Sequence, residues 1–384
     1  MKRQVWNRAT KLLGAVAFGA VAANVILGQV RQAEVERRDQ AGVARMTQKM
    51  KTVCIGRFLI DLPDETRLEL RGPRIDVFDI SSFDESEADF QVRLAQREAK
   101  LRATPDRLGG YRNLESVREV TTDKGVVGKI FVHAHTVTEG TRNRGLELER
   151  YRDEGIAIKA MLHGQGMSFT LAANNYNPDI IENLPKLVAK LVPNPQNQIP
   201  TEPGYCIDRA WFRDPLTADQ GEEIMMSAQL PSHADIEFLI LMSAGNKPNE
   251  QSLLERSAVV DAKLSIFDKM HVSNLRASPR PIGGISGDEL VTRFSEKNDA
   301  RVVTFWWEVN GSVDNVLIPH FSFTMETGKS RDGPVPSSLS QDAATALWDK
   351  VSSSIRFHTP SPVKNTAPVP PASTSAKAPQ ARKV

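Results

Sequence analysis

TVCIGRFLIDLP at 52–63 and GYCIDRAWFRDP at 204–215 are two versions of one pattern. Each is an apolar, strand-like run that carries Cys-Ile-x-Arg and closes on an Asp/Pro turn. Self-similarity over so long a spacing decides architecture before any shorter motif does. The likeness extends downstream of both copies. In the first half, RIDVFDI (74–80) has the character of a strand, and FDESEADFQVRLAQREAKL (83–101) follows as an acid-started helix. In the second, DIEFLILM (235–242) is a strand, and NEQSLLERSAVVDAKL (249–264) is a helix with the same Ala-Lys-Leu ending.

Next come Gly125-Val126-Val127-Gly128 and Gly284-Ile285-Ser286-Gly287, leading into the strands KIFVHAH (129–135) and DELVTRF (288–294). Further strands are expected at 146–152, 156–162 and 168–172, and at 302–309 and 313–323. Each half then ends in an amphipathic helix. Ile181, Leu184, Leu187, Val188 and Leu191 share one face in the first. Ala344, Leu347, Trp348, Val351 and Ile355 form the stripe in the second, where Ser338 and Gln341 have capping-box spacing. The expectation is an α+β fold of two similar β-rich domains related by internal duplication, each an antiparallel sheet with a mid-domain helix and a closing helix. The domains span 52–196 and 197–358, joined where prolines cluster between Pro193 and Pro203.

The two ends have other compositions. Residues 1–11 hold four basic side chains, and 12–30 (LLGAVAFGAVAANVILGQV) carry no charge. That order is the export pattern, and the run is at the short end of what spans a bilayer. Residues 1–30 are therefore expected to be an uncleaved anchor or a cleaved signal, with the body on the periplasmic face of the inner membrane. Residues 31–51 are charge-rich and fit a juxtamembrane helix or linker. Residues 359–384, rich in Pro, Ala, Ser and Thr, have too little apolar surface to offset ordering entropy and are expected to be a disordered tail.

Composition narrows the function by exclusion. Forty-nine Lys and Arg against 47 Asp and Glu leave a net charge of +2, so no basic field marks a nucleic-acid binder. An apolar fraction of 40% with 25% charged residues describes a globular body. Two cysteines are too few for a disulfide scaffold or a four-thiolate zinc site. No phosphate loop, dinucleotide fingerprint or Gly-x-Ser-x-Gly elbow occurs, and no catalytic, cofactor-binding or metal-binding residue is assigned.

Cys54 and Cys206 occupy equivalent positions in the two copies. An oxidising compartment permits a bridge if their Cα atoms come within about 7 Å. The alternative is two buried, reduced strand cysteines, and in either case the matched placement argues a structural role. His133 and His135 stand two apart on an expected strand, the local geometry of a metal pair, but no third ligand is evident and a surface or sheet-packing role is the better account. Trp306-Trp307 in a strand puts one ring in the core and leaves the other for a helix or an interface. The stretches 136–145 and 330–337 are expected to be surface loops and contact candidates. The residues that would touch a partner are not identified.

The Cys-Ile-Gly-Arg and Cys-Ile-Asp runs, the two Gly-x-x-Gly turns and the closing SSLSQDAATALWDKVSSSIRF (337–357) resemble the two-domain immunity proteins of type VI secretion lipase effectors. The likeness covers residues 52–358 in order. It implies a non-catalytic protein, without cofactor, that binds its cognate phospholipase toxin in the periplasm and occludes the toxin's active site. The competing expectation is a membrane-anchored envelope scaffold or assembly factor, also without catalytic activity.

Overall fold

The computed structural model describes residues 34, 37–107, 110, 112–145, 147–213, 221–296, 298, 300–313 and 315–358. The expected anchor or signal at 1–30 and the expected tail at 359–384 lie outside the described residues. No helix among the described residues is long and apolar enough to cross a membrane. Residues 37–46 are helical (α1), and the helix belongs to the body: Val43 is buried in the main core, and Asp39 accepts from the Ser340 backbone N–H at 3.0 Å.

The first sequence copy folds into a hairpin, β1 (Met50–Ile55) and β2 (Phe58–Pro63). Its turn favours glycine, since Gly56 has φ +53°, and a Cβ there would also push aside the thioether end of Met242. Next come β3 (Arg67–Ile75), β4 (Phe78–Asp84) and helix α2 (Glu87–Ala103). After these lie β5 (Leu114–Thr121), β6 (Val127–Arg144), β7 (Glu147–Gly164), β8 (Met167–Tyr176), α3 (Asn183–Val188) and β9 (Leu191–Pro193). The second copy is again a hairpin, β10 (Gly204–Ile207) and β11 (Ala210–Arg213), followed by β12 (Glu222–Leu230) and β13 (His233–Ala244). Helices α4 (Leu253–Lys263) and α5 (Ile266–His271) lead to β14 (Val272–Pro279), β15 (Asp288–Ser295), β16 (Arg301–Asn310) and β17 (His320–Glu326). Helix α6 (Gln341–Ser352) and β18 (Arg356–Phe357) complete the described chain.

The two halves do not have separate sheets. Twelve antiparallel strands form one sheet in the order β14-β15-β16-β17-β13-β12-β3-β4-β8-β7-β6-β5. The halves meet where β12 pairs with β3, from Glu222 opposite Ile75 to Gln229 opposite Arg67. Outward from this seam, the second half runs β12-β13-β17-β16-β15-β14 and the first runs β3-β4-β8-β7-β6-β5, the same order of equivalent strands. The short sheets exchange ends. Strand β9 of the first half pairs with the second hairpin, and β18 of the second half pairs with the first hairpin. Pairing across a seam satisfies edge groups that two separate sheets would leave open.

The main core lies on one face of the large sheet, under the two hairpins, α3 and α6. Trp348 of α6 stacks on Phe323 and Phe305, with ring centroids 4.8 and 5.5 Å apart. Phe58 of the first hairpin meets Phe321 and Phe357 at 5.0 and 4.9 Å. This is the burial that the closing stripe predicts: Ala344, Leu347, Trp348, Val351 and Ile355 are all buried. The cap of α6 differs from the expected one. Ser340, not Ser338, accepts from the Ala343 backbone N–H, because α6 begins at Gln341; Ser338 lies before the cap and donates its backbone N–H to Asp235.

Several expected elements change. The strand expected at 313–323 is β17, the two expected at 146–152 and 156–162 are the single strand β7, and the closing helix of the first half is short, with Leu191 already in β9. The run 74–80 is not one strand, since Asp76 adopts φ +53° and turns the chain between β3 and β4. Residues 136–144 are not a loop: β6 continues through them, paired with β7 from Thr136 opposite Gly155 to Arg144 opposite Glu147. Cross-strand charge pairs such as Arg142 with Glu149 and Arg152 with Glu139 line this long hairpin and make its polar sequence look loop-like.

Candidate partner-binding face

The second face of the large sheet carries two helices with an open floor between them. At one end α2 starts on Ser86, whose hydroxyl accepts from the Asp89 N–H, and buries Phe90, Leu94 and Leu101 against Phe131 and Met161. Phe131 and Met161 alternate along β6 and β7 with Ile130, Val132, Ile158 and Ala160 of the main core, so α2 sits on the opposite side. At the other end α4 begins on a capping box, Ser252 with Glu255. Its Arg256 reaches Glu308 of β16 at 2.7 and 2.8 Å.

Directly opposed residues in a ladder point to the same face, which lets the floor be traced. Glu308 is opposite Ser322, Ser322 opposite Leu241, and Leu241 opposite Met225. The next row is Trp306, Thr324, Leu239 and Ser227. The floor thus has an apolar strip of Met225, Leu239, Leu241 and Trp306, with Leu241 42% exposed although it is a large apolar side chain on a strand. Charges border it on β3, where Arg74 pairs with Asp79 of β4 at 3.2 Å and with Glu223 of β12 at 3.6 Å.

Beside α4 a cleft of about 580 Å³ is lined by Asn249, Glu250, Gln251, Arg256, Trp306, Glu308 and His320. Within it, the indole nitrogen of Trp306 and Nδ1 of His320 have no hydrogen-bond partner among the described residues. A smaller cleft of about 330 Å³ flanks α2, with Glu98, Arg102 and Lys129 on its rim. There the carboxylate of Glu98 is held below its usual pKa by Lys129 and Arg102, and Lys129 is raised by Glu98 and Glu119. A face of this kind, apolar at the centre and charged at the rim, has the anatomy of a protein-binding surface.

The tryptophan pair divides as alternation requires: Trp307 is fully buried in the core, and Trp306 lies on the floor. His133 and His135 do not act together. Ala134 has φ +54° and a register shift lies between His133 and Thr136, so strand alternation breaks there. His133 faces Arg97 at 3.1 Å, and burial, aided by Arg97 and Lys159, lowers its pKa to about 4. His135 sits between Glu115 at 2.7 Å and Glu154 at 3.1 Å. Burial alone would lower its pKa, but the two carboxylates hold it raised. His163 is buried against Ser168 and stacks on Phe90.

Cys54 and Cys206 are joined in the structure, with Cα atoms 5.8 Å apart. Neighbouring backbone explains why they meet: Gly56 and Cys206 exchange N–H···O bonds of 3.0 and 2.8 Å, which lays one hairpin on the other. Sequence reasoning missed the ion pair of Arg57 with Glu222. Glu222 occupies a core position in β12, where alternation calls for an apolar residue, and that misfit is the signal that marks it.

The fold and this face define a class of scaffold: two halves built on one continuous sheet, with a broad open surface between two helices. Residues 51–170 match the model of the Tle cognate immunity protein 4 N-terminal domain, and residues 198–360 match that of its C-terminal domain. The chain belongs to the Tle cognate immunity protein 4 family. Its fold is similar to that of the immunity protein TplEi of the T6SS from Pseudomonas aeruginosa complexed with "L" peptide. The two are 23% identical with a TM-score of 0.63, over 80% of this chain and 98% of that one. It is likewise similar to a chain of the Tle4-Tli4 complex, at 23% identity and a TM-score of 0.64, over 81% of this chain and 98% of that chain. No curated protein sequence matches.

Proposed function

We propose that this protein is the immunity partner of a type VI secretion lipase effector, which it binds and neutralises in the periplasm by covering the effector's active site. Membership of the family carries the proposal, since both domain models match in order along one chain. The open sheet face supplies what inhibition by binding needs, a rigid and preformed surface with apolar residues at its centre. An interface of standard size, about 800 Å² per partner, would suffice. The protein acts by occupancy and not by turnover.

The two domains, 52–196 and 197–358, are duplicates of one ancestral unit; the repeated strand order on either side of the β3–β12 seam supports this. Residues 1–30 deliver the body to the periplasmic side, as an anchor in the inner membrane or as a cleaved signal.

Co-expression with its cognate lipase effector, directed to the periplasm, is the test. Cells carrying both should grow, and cells carrying the lipase alone should lyse. Continued lysis despite good expression of this chain would defeat the proposal and favour an envelope scaffold.

A further inference from the structure

The junction of the two hairpins holds a third group besides the cysteines. Sulfur atoms of Cys54 and Cys206 and the imidazole of His358 place one donor each within 4.8 Å of one another. His358 follows β18 and is fixed at two points: its backbone N–H donates to the Arg57 carbonyl at 2.8 Å, and its Nε2 lies 2.6 Å from the Pro200 carbonyl oxygen. A carbonyl can only accept, so Nε2 carries the proton and Nδ1 keeps its lone pair. That Nδ1 is shielded from solvent and has no hydrogen-bond partner among the described residues. An imidazole with one nitrogen donating to a backbone carbonyl and the other keeping a bare lone pair has the hydrogen bonding of a metal-ligating histidine, and this ring stands beside two sulfurs.

We propose that the reduced form of this protein binds a zinc ion through Cys54, Cys206 and His358. Opening the bridge takes two electrons. With a phosphine as reductant, the phosphorus attacks one sulfur, water supplies the oxygen of the resulting phosphine oxide, and both sulfurs become thiols. The ion then binds two thiolates and the neutral imidazole, two protons leave, and a water fills the fourth position. Bonds of about 2.3 Å to sulfur and 2.0–2.1 Å to nitrogen put tetrahedral donors roughly 3.4–3.8 Å apart. The sulfurs must part from their bonded distance to reach this spacing, which stays within the 4.8 Å that the three groups now span. Cys54 belongs to the first hairpin, Cys206 to the second, and His358 to the segment that closes the second half against the first. Zinc would tie together the segments that the disulfide ties when oxidised, so the junction is crosslinked in either redox state.

The experiment uses full-length, untagged protein, reduced with a phosphine under anaerobic conditions and titrated with Zn²⁺ against a chromophoric chelator. One equivalent should bind to the reduced chain and none to the oxidised chain. Zn²⁺ should also raise the thermal midpoint of the reduced chain alone. Co²⁺ in place of Zn²⁺ should give thiolate charge-transfer bands with tetrahedral ligand-field absorption. His358→Ala, which keeps both thiols, should weaken binding at least about tenfold and abolish the midpoint rise. Equal binding by H358A, or a reduced chain that takes up no zinc or stays unfolded with zinc present, would overturn the site.

Discussion

Arg57, in the first hairpin, places its guanidinium against the carboxylate of Glu222, in the first large-sheet strand of the other half, with Nε 2.8 Å from Oε2. Only 4% of the Arg57 side chain and none of that of Glu222 reach solvent. The equivalent arginine of the second copy, Arg209, pairs across the same junction with Asp84, whose side chain is 80% exposed. Two arginines from one repeated motif thus reach into opposite halves, one through the core and one over the surface.

That difference sets the energetics. Arg57→Met should destabilise the protein by about 3–5 kcal/mol, because it strands a buried carboxylate. Replacing both residues, R57M with E222M, should recover most of the loss. Arg209→Met should cost no more than about 1 kcal/mol, as exposed pairs do. Urea denaturation of the four proteins measures all of this, and a loss below about 1 kcal/mol for R57M would contradict it.

The bridge makes a second prediction. Protein recovered from the periplasm and analysed without reductant should be two hydrogens lighter than the reduced chain. Cys54→Ala and Cys206→Ala should each lower stability by up to about 5 kcal/mol, the loop-closure entropy of the 152-residue separation. Two free thiols in the exported protein would remove the crosslink.

Two histidines should give stability opposite dependences on pH. His133 titrates near 6.5 when unfolded and at about 4 when folded, so its contribution is complete above pH 6.5 and falls away down to about pH 4. The loss is on the order of 2 kcal/mol once its partial exposure is allowed for. His135 has a raised folded value, so its contribution is complete below about pH 6.5 and is lost as pH rises through that value. His133→Gln should flatten the acid side of the denaturation profile, and His135→Gln the neutral side. Unchanged profiles in both variants would rule out these assignments.

On the open face, Trp306→Ala and Leu241→Arg should each weaken effector binding by about 2 kcal/mol or more, roughly thirtyfold, with little change in thermal midpoint. Leu148→Ser, at the far end of the β6–β7 hairpin, should matter less if the floor between the helices is the docking surface. Calorimetric titration with purified effector decides it, and full affinity in both floor variants would move the interface elsewhere.

Much of this was legible along the chain because it depends on local pattern. The Cys-Ile-x-Arg copies, the acid-started helix ending in Ala-Lys-Leu and the apolar stripe of α6 are periodicities of one element, and each folds where its period places it. Where a sequence could serve two backbones, pattern failed. Asp76 is a turn inside an apparently continuous strand, and the polar stretch 136–144 is a strand whose stability comes from its partner.

The sequence by itself determined the class, the twofold repeat of its motifs and the two cysteines that open its halves. Tertiary structure decided that the halves share one sheet through β3 and β12, that β9 and β18 cross to the opposite hairpins, and that Arg57 meets Glu222. It also decided which face stays open, and so where Trp306 and Leu241 come together. The reason is physical: strand periodicity tells which side chains share a face, but not which strand edge lies beside another. That choice rests on contacts between residues more than a hundred positions apart, and no local period carries them.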